Sequence, residues 1–517
     1  MTYKNGTAQN RYAELQPDRE PYVNRARDLA KLTIPSTFPQ AGTTGSEKFD
    51  PPYQGIGARG VNNLAAKLLL SLLPPGTPPF RLSLEDDALA QAKASDAQED
   101  AEKALSEAER RVVNRMEQRG IRPTIYRMFK RLIIGGNDLL YVDKKGSVRS
   151  FRLDQYVVVR NERGEPVEIV TVEKLHRSSL PDVLRQLVND VGMEVGTQVQ
   201  SETDQNRVDL YTHVKIDENR NTTVYQECLG KIVPESEGAY SGYCPWLPLR
   251  WEKVDGEHYG RSHCEEYWGD LLSFDSLSAS VIDLAAIAAK VIFFTPEGSL
   301  LTPQKLANAK SGAVMRGNGN EVTRLQVDKL ADMQVAASTA ERIEMRLAQA
   351  FLLTQSIQRQ AERVTAEEIR LLANELEQGL GGAYSVLAQE FLYPLAKTYL
   401  KQMERSGELP SLDKIATPKI TTGFEGLGRT TDLQKLDMFI GGANAVIGQD
   451  VVAGRLNSGE YLKRRATALG IDAENLILSD DQVAAQQQQA LSAEIAKTMA
   501  GKVDPSQNPQ QTANAPA

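Results

Sequence analysis

The sequence predicts a mostly helical α+β protein, and three observations predict it. Ala, Leu, Gln and Glu are abundant while aromatic residues make up only 6% of the chain, a balance that favours helix. Apolar residues recur at steps of three and four through long stretches on both sides of the middle, the spacing of amphipathic helices. Between residues 138 and 251 the period changes to two, which marks a strand-rich insert.

Residues 1–34 read as a loose start followed by a polar helix, and Pro, Gly, Ser and Thr make residues 35–53 a loop. Residues 58–73 form an apolar helix that Pro74 and Pro75 stop. FRLSLE, Phe80–Glu85, is a short strand. Residues 88–119 form a charged amphipathic helix with Ala104, Leu105, Ala108, Val112 and Met116 facing inward. Pro123 opens another helix, which Gly135 and Gly136 end. In the insert LLYVD, FRLDQYVVVR, VEIVTVEKL, VDLYTHVKI and TTVYQECL read as strands, and RGEP and DENRN as turns. A helix-bearing loop is expected around residues 180–191.

Helix returns over about 259–291, with Leu271, Phe274, Leu277, Val281, Leu284, Ala288 and Val291 on one side. A second helix is expected over 332–357, with Ile343, Leu347, Ala350, Phe351 and Thr354. The excursion between them carries Pro296, Pro303 and several glycines, so the pair reads as an extended hairpin with a small domain at its tip.

The segment from Glu362 to Leu395 has the strongest pattern. Ile369, Leu372, Leu376, Leu380, Ala383, Leu387, Phe391 and Leu395 lay one stripe along a helix, and Thr365 with Glu368 forms a capping box at its start. Gly379, Gly381 and Gly382 interrupt it at about 1 kcal/mol each, which predicts a kink or a close approach of another backbone. Pro394 predicts a second bend or an end. Beyond Leu400 a Pro- and Gly-bearing connection runs to about Gly428. Residues 431–500 are again helical, with breaks at Gly441, Gly454 and Gly470, and residues 508–517 form a tail whose composition predicts disorder.

Composition narrows function. With 517 residues the chain is long enough for several cores, and a net charge of −8 argues against a protein that coats nucleic acid. Three widely spaced cysteines, Cys228, Cys244 and Cys264, make a disulfide framework unlikely and fit a reducing compartment. The opening residues lack the apolar core of a signal peptide, and the longest apolar stretches, Leu64–Leu73 and Val281–Phe294, are too short to span a bilayer. Neither a phosphate-binding G-x-x-x-x-G-K-[ST] loop nor a G-x-S-x-G elbow occurs. No cofactor is expected.

Two patterns imitate sites. Gly55, Gly57 and Gly60 spell G-x-G-x-x-G ahead of a helix, with Glu85 and Asp86 downstream, as in a dinucleotide fold. The preceding FDPPYQ cannot be the required central strand, so a turn and a helix start are the better reading. His258, His263 and Cys264 cluster in sequence, but histidines five apart do not share a helix face and no second pair completes four ligands.

ERVTAEEIR, ELEQGLGG and YSVLAQEF within residues 362–392 closely resemble the helix after the tunnel loop in portal proteins of short-tailed bacteriophages, the head-to-tail connectors. GARGVNNLAAKLLLSLLPP, Gly57–Pro75, resembles the same family, and the match covers roughly residues 10–480. The resemblance implies a wing at 1–258 with its strand-rich part at 138–251, stem helices at 259–293 and 332–357, and a clip at 294–331. It further implies a tunnel loop at 358–365, a long wing helix and connection at 366–428, and a crown at 429–500, followed by a disordered tail at 501–517.

The implied function is a ring, usually of twelve copies in that family, at one capsid vertex, through which double-stranded DNA is packaged and ejected. The implied partners are the packaging ATPase (terminase), tail adaptor proteins, major capsid and scaffold proteins and internal core proteins. The resemblance also implies no membrane partner and a location in the virion after assembly in the host cytoplasm. Gln358, Arg359, Gln360 and Arg363 become candidates for sequence-independent phosphate contact in the channel. Lys305, Lys310, Arg316 and Arg324 become a clip surface for a partner or for DNA, and Arg59 and Asn62 candidate subunit contacts. Two rivals remain: an NAD(P)-binding oxidoreductase built on the glycines, and another virion scaffold protein, against which the strand-rich insert counts.

Overall fold

The computed structural model describes residues 6–40, 48–75, 78–83, 98–194, 207–288, 301–316, 330–353, 366–380, 382–410, 419–422 and 428–453, with scattered positions elsewhere. Helix α1, Thr7–Lys31, looks polar in sequence, yet Ala8, Tyr12, Val23, Ala26, Leu29 and Ala30 are buried along it. Its start is held by the buried carboxylate of Glu227, which accepts from the amides of Ala8 (3.1 Å) and Gln9 (3.3 Å). Negative charge belongs at that end of a helix.

Then come α2 (Ile56–Leu72), β1 (Phe80–Ser83), α3 (Gln98–Gln118) and α4 (Arg122–Gly135). The end of α4 requires glycine. Gly136 has φ +73°, and a Cβ there would lie 2.6 Å from the carbonyl carbon of Arg261.

The insert holds β2 (Asn137–Val142), β3 (Val148–Phe151), β4 (Tyr156–Arg160), β5 (Pro166–His176), α5 (Asp182–Glu194) and β6 (Arg207–Ile216). It continues with β7 (Thr222–Cys228), β8 (Lys231–Ile232), β9 (Gly238–Tyr240) and β10 (Trp246–Arg250). All pairings are antiparallel. One sheet runs β10-β2-β3, and a larger one runs β4-β5-β6-β7-β8 with β9 also on β7.

The hairpin follows: α6 (His263–Glu266), α7 (Trp268–Ala288), β11 (Phe293–Phe294), α8 (Pro303–Ala307), β12 (Thr323–Arg324) and α9 (Leu330–Ala350). After it come α10 (Ala366–Gly379), α11 (Ala383–Leu387), a π-helical turn (Ala388–Leu392) and α12 (Tyr393–Arg405). Strand β13 (Lys419–Thr422), α13 (Gly428–Ile447) and α14 (Gln449–Ala453) complete the described elements.

One apolar core joins α1–α4, the β10-β2-β3 sheet, the base of the hairpin and the bent α10–α12 run. The inward positions of α3 and of residues 372–395 lie in it: Val112, Leu376, Leu387, Phe391 and Leu395 are fully buried. Burial of each such side chain contributes about 1.5–3 kcal/mol. A second, small core packs α5 on β6 and β7 through Leu184, Val188, Leu210 and Cys228.

Several elements differ from the sequence reading for identifiable reasons. The stripe over 366–395 is not one helix. As the glycines and Pro394 predict, it breaks at Gly382 (φ +93°) and is disturbed again just before Pro394; what the sequence did not show is that the second disturbance is a π turn, next to a proline whose missing N–H leaves a helix carbonyl without its usual donor. The helix expected from Tyr259 starts at His263 under a Ser262 cap and is interrupted at Tyr267. The helix expected to reach Ile357 stops at Ala350, where Leu352 adopts φ +53°. The connection after α12 contains β13, which pairs with β1 across most of the chain, Phe80 opposite Thr422. Helix α13 runs through Gly441 without a break and ends before Gly448 (φ +94°). The expected breaks at Gly454 and Gly470, the tail, and most of 466–500 lie outside the described residues.

Candidate functional site

The hairpin carries the first surface. Helix α7, WGDLLSFDSLSASVIDLAAIA, has apolar residues on every side, interspersed with Ser and three Asp, yet within the chain it packs mainly along α9. Leu271, Phe274, Ile343 and Leu347 fill the seam, and Arg346 of α9 pairs with Asp270 of α7 at 2.7 Å. Leu272, Ile282 and Ile287 on α7 remain 47–51% exposed, and Val335 and Met345 on α9 60–65% exposed. Large apolar side chains left uncovered along one helix pair mark a surface for contact with another chain.

The tip carries the second. Strands β11 and β12 pair across its neck, Phe293 opposite Arg324. Beyond them an open groove of about 540 Å³ is lined by Leu301, Gln304, Lys305, Asn308, Ala309, Ala313, Met315 and Arg316. Lys305, Lys310 and Arg316 are exposed, and no acidic residue occurs from Gly298 to Arg316. The structure therefore brings Lys305 and Arg316 together on one basic groove, with Lys310 outside its lining.

The third region is where α9 ends. Gly60 of α2 faces Phe351, and a Cβ there would lie 2.5 Å from its ring. The Asn63 amide donates to the carbonyls of Phe351 and Leu352, 3.2 Å each. The buried Lys67 ammonium donates to the Leu352 carbonyl (3.0 Å) and to Glu375 of α10 (2.9 Å). His263 donates from Nε2 to the Ala350 carbonyl at 3.0 Å, with its ring among Trp251, Tyr267 and Phe351. Burial pushes its pKa down to about 4, so the imidazole is neutral.

Gln358, Arg359, Gln360 and Arg363 lie outside the described residues. Arg59 points outward, 64% exposed and 3.8 Å from Glu344, while Asn62 accepts from the Tyr126 hydroxyl. Asn63 and Lys67 were missed. Their signal was present: Lys67 occupies the apolar stripe of LAAKLLL, where a lysine needs a partner.

The imitations dissolve in the structure. Residues 48–54 before the glycines form no strand, and Gly57 and Gly60 serve close packing, Gly57 against the Leu32 carbonyl. His258 accepts from the Arg160 amide through Nδ1 and His263 is in the core, so the two do not converge. Among the described residues no group of three or more His, Cys, Asp or Glu is arranged to hold a metal. No described helix is long and apolar enough to cross a membrane.

Residues 5–477 match the family model described as bacteriophage head to tail connecting protein. The chain is 37% identical to the portal protein of Escherichia phage T7 over 484 residues, 92% of this chain and 89% of that protein. It is 30% identical to the portal protein of Pseudomonas phage phiKMV over 488 residues, 92% of this chain and 93% of that one. Among solved structures, a chain of the virion of a native gene transfer agent particle aligns with 13% identity and TM-score 0.36, covering 80% of this chain and 89% of that chain.

Proposed function

The chain belongs to the bacteriophage head to tail connecting proteins, and from that premise we propose that it closes into a ring around a DNA channel. Its role is that of a structural portal at the head-to-tail connection of the virion, not of an enzyme. Twelve copies is the count we propose, with the hairpin of α7 and α9 as stem, residues 294–331 as clip, 358–365 as tunnel loop and 429–500 as crown. Residues 1–258 and 366–428 form the wing.

The uncovered apolar side chains of α7 carry the reading. Leu272, Ile282 and Ile287 are uncovered in the single chain, and a neighbouring copy packed head to tail supplies the cover. Such heterologous contacts close into a ring when the rotation per subunit divides a full turn. Double-stranded DNA passes through, driven by a separate packaging ATPase, and leaves by the same route. Arg359 and Arg363 in the tunnel loop touch phosphate without reading sequence. The basic clip groove meets the ATPase and then tail adaptors, and the crown meets internal core proteins, while the rim seats in major capsid and scaffold proteins during assembly in the host cytoplasm. A net charge of −8 per copy suits a wall past which DNA slides.

Negative-stain electron microscopy of the purified full-length chain tests the ring. Rings with a central hole, whose rotational symmetry gives the count, are expected. Uniform monomers or dimers would overturn the proposal.

A further inference from the structure

One face of α2 carries Gly60, Asn63, Lys67 and Ser71 at steps of three and four. Among the described residues, the hydrogen bonds from its side chains go to segments on either side of residues 354–365. Gly60 and Asn63 meet the end of α9, Lys67 meets both α9 and α10, and the Ser71 hydroxyl donates to the Tyr384 hydroxyl of α11 at 2.8 Å. A cation on the last carbonyls of a helix answers the negative end of its dipole, and a helix end buried without partners is costly. An apolar side chain at position 67 would pack as well and would avoid burying an ammonium. The charge makes sense as a joint, since one Nζ spans the Leu352 carbonyl just past the end of α9 and the Glu375 carboxylate of α10.

We propose that this face of α2, with Lys67 at its centre, is a positioning element that sets the end of α9 and the body of α10 relative to each other. In the ring proposed above, on which this inference rests, it fixes the two points from which the channel loop is presented. Gly379 supports the joint from the other side, because a Cβ there would meet the Leu352 side chain at 3.0 Å. His263 adds the third donor to the same helix end. The GARGVNNLAAK block is thereby explained without a ligand.

The experiment is amide hydrogen exchange on assembled full-length rings of Lys67→Met and Glu375→Gln, alongside DNA filling of particles built with each. Lys67→Met should speed exchange about tenfold, the scale of one lost charge-assisted bond, at Leu353 and in α10. Exchange in the β10-β2-β3 sheet should not change. Glu375→Gln removes one leg only, so α10 should loosen while Leu353 keeps its protection. Filled particles should fall several-fold with Lys67→Met.

Unchanged exchange in both variants would overturn the joint. An even rise across the sheet as well would show a stability effect only and would overturn it too. Local loosening with normal filling would leave the joint standing and overturn the reading that residues 358–363 meet DNA. If Lys67→Met fails to assemble, Glu375→Gln alone decides, since its predicted pattern is confined to one helix.

Discussion

Replacing Glu390 by Gln should cost about 3 kcal/mol, and the site shows why. The π turn before Pro394 carries Glu390 against Arg250, whose guanidinium donates to it through Nη2 and, at 3.5 Å, through Nε. Arg250 is 2% exposed, and its buried Nη1 has no hydrogen-bond partner among the described residues. Arg160, 7% exposed, lies close enough that burial and then the Arg250 charge depress its pKa to about 10. Arg250 is thus the cation bonded to this carboxylate, while the Arg160 guanidinium is satisfied by the carbonyls of His258, Gly164 and Pro248. Unit charges about 3 Å apart at an effective dielectric of 20 attract by about 5 kcal/mol gross. The Glu390 side chain keeps 23% exposure, which trims the loss to the lower end of the range for breaking a buried pair, about 3–5 kcal/mol.

Urea unfolding followed by tryptophan fluorescence reads the region directly, since Trp251 adjoins Arg250 and is 2% exposed. With a slope of about 3 kcal/mol/M, the midpoint of Glu390→Gln should fall by about 1 M. The double variant Arg250→Met with Glu390→Leu should lose less than Glu390→Gln alone, because no cation is stranded. A Glu390→Gln midpoint within about 0.3 M of the unaltered protein would refute the reasoning.

Two further outcomes are expected. Replacing Arg359 and Arg363 together by Ala should leave rings intact in the microscope yet reduce DNA retention, and genome-filled particles at normal yield would remove these arginines from the channel contact. Glu168 lies between His213 (2.7 Å) and Arg11 (2.9 Å). Burial pushes its pKa up, but the hydrogen bonds from His213 and Arg11 outweigh that and hold it down at about 2. Because the folded value lies below the unfolded one, its contribution is present above about pH 4.5 and lost as pH falls toward 2. The difference in unfolding free energy between the unaltered protein and Glu168→Gln should therefore shrink by about 3 kcal/mol across that window, and a difference flat in pH would contradict the assignment.

Much of this architecture is legible because local rules agree with the fold. Pro74 and Gly136 mark helix ends, alternation marks the insert, and the 372–395 stripe marks a core face. What was illegible depends on distant partners. KITT at 419–422 is too short to show a period, and only β1, hundreds of residues away, makes it a strand. The π turn sits before Pro394 and carries Glu390 against Arg250, a distant partner that no local pattern contains. Gly441 was expected to break a helix and does not, since glycine's cost of about 1 kcal/mol is small beside the rest of a helix of twenty residues. At the candidate site, Lys305 and Arg316 stand out in the sequence by charge, and the structure places both on the lining of one groove. Asn63 and Lys67 were passed over because a donor's value depends on which carbonyl lies opposite, and that carbonyl belongs to another helix.

The pairing of β1 with β13 also sets a timetable. During synthesis Phe80–Ser83 emerges early, and its partner Lys419–Thr422 leaves the ribosome about 340 residues later, a wait of roughly 17–70 s at about 5–20 residues per second. Through that interval the strand is an open edge of the kind that recruits other chains. Any nascent or truncated product ending before Lys419 keeps that edge open permanently. Only chains that extend to Thr422 can close that edge, so the last stretch of translation completes a sheet whose first strand was made near the start.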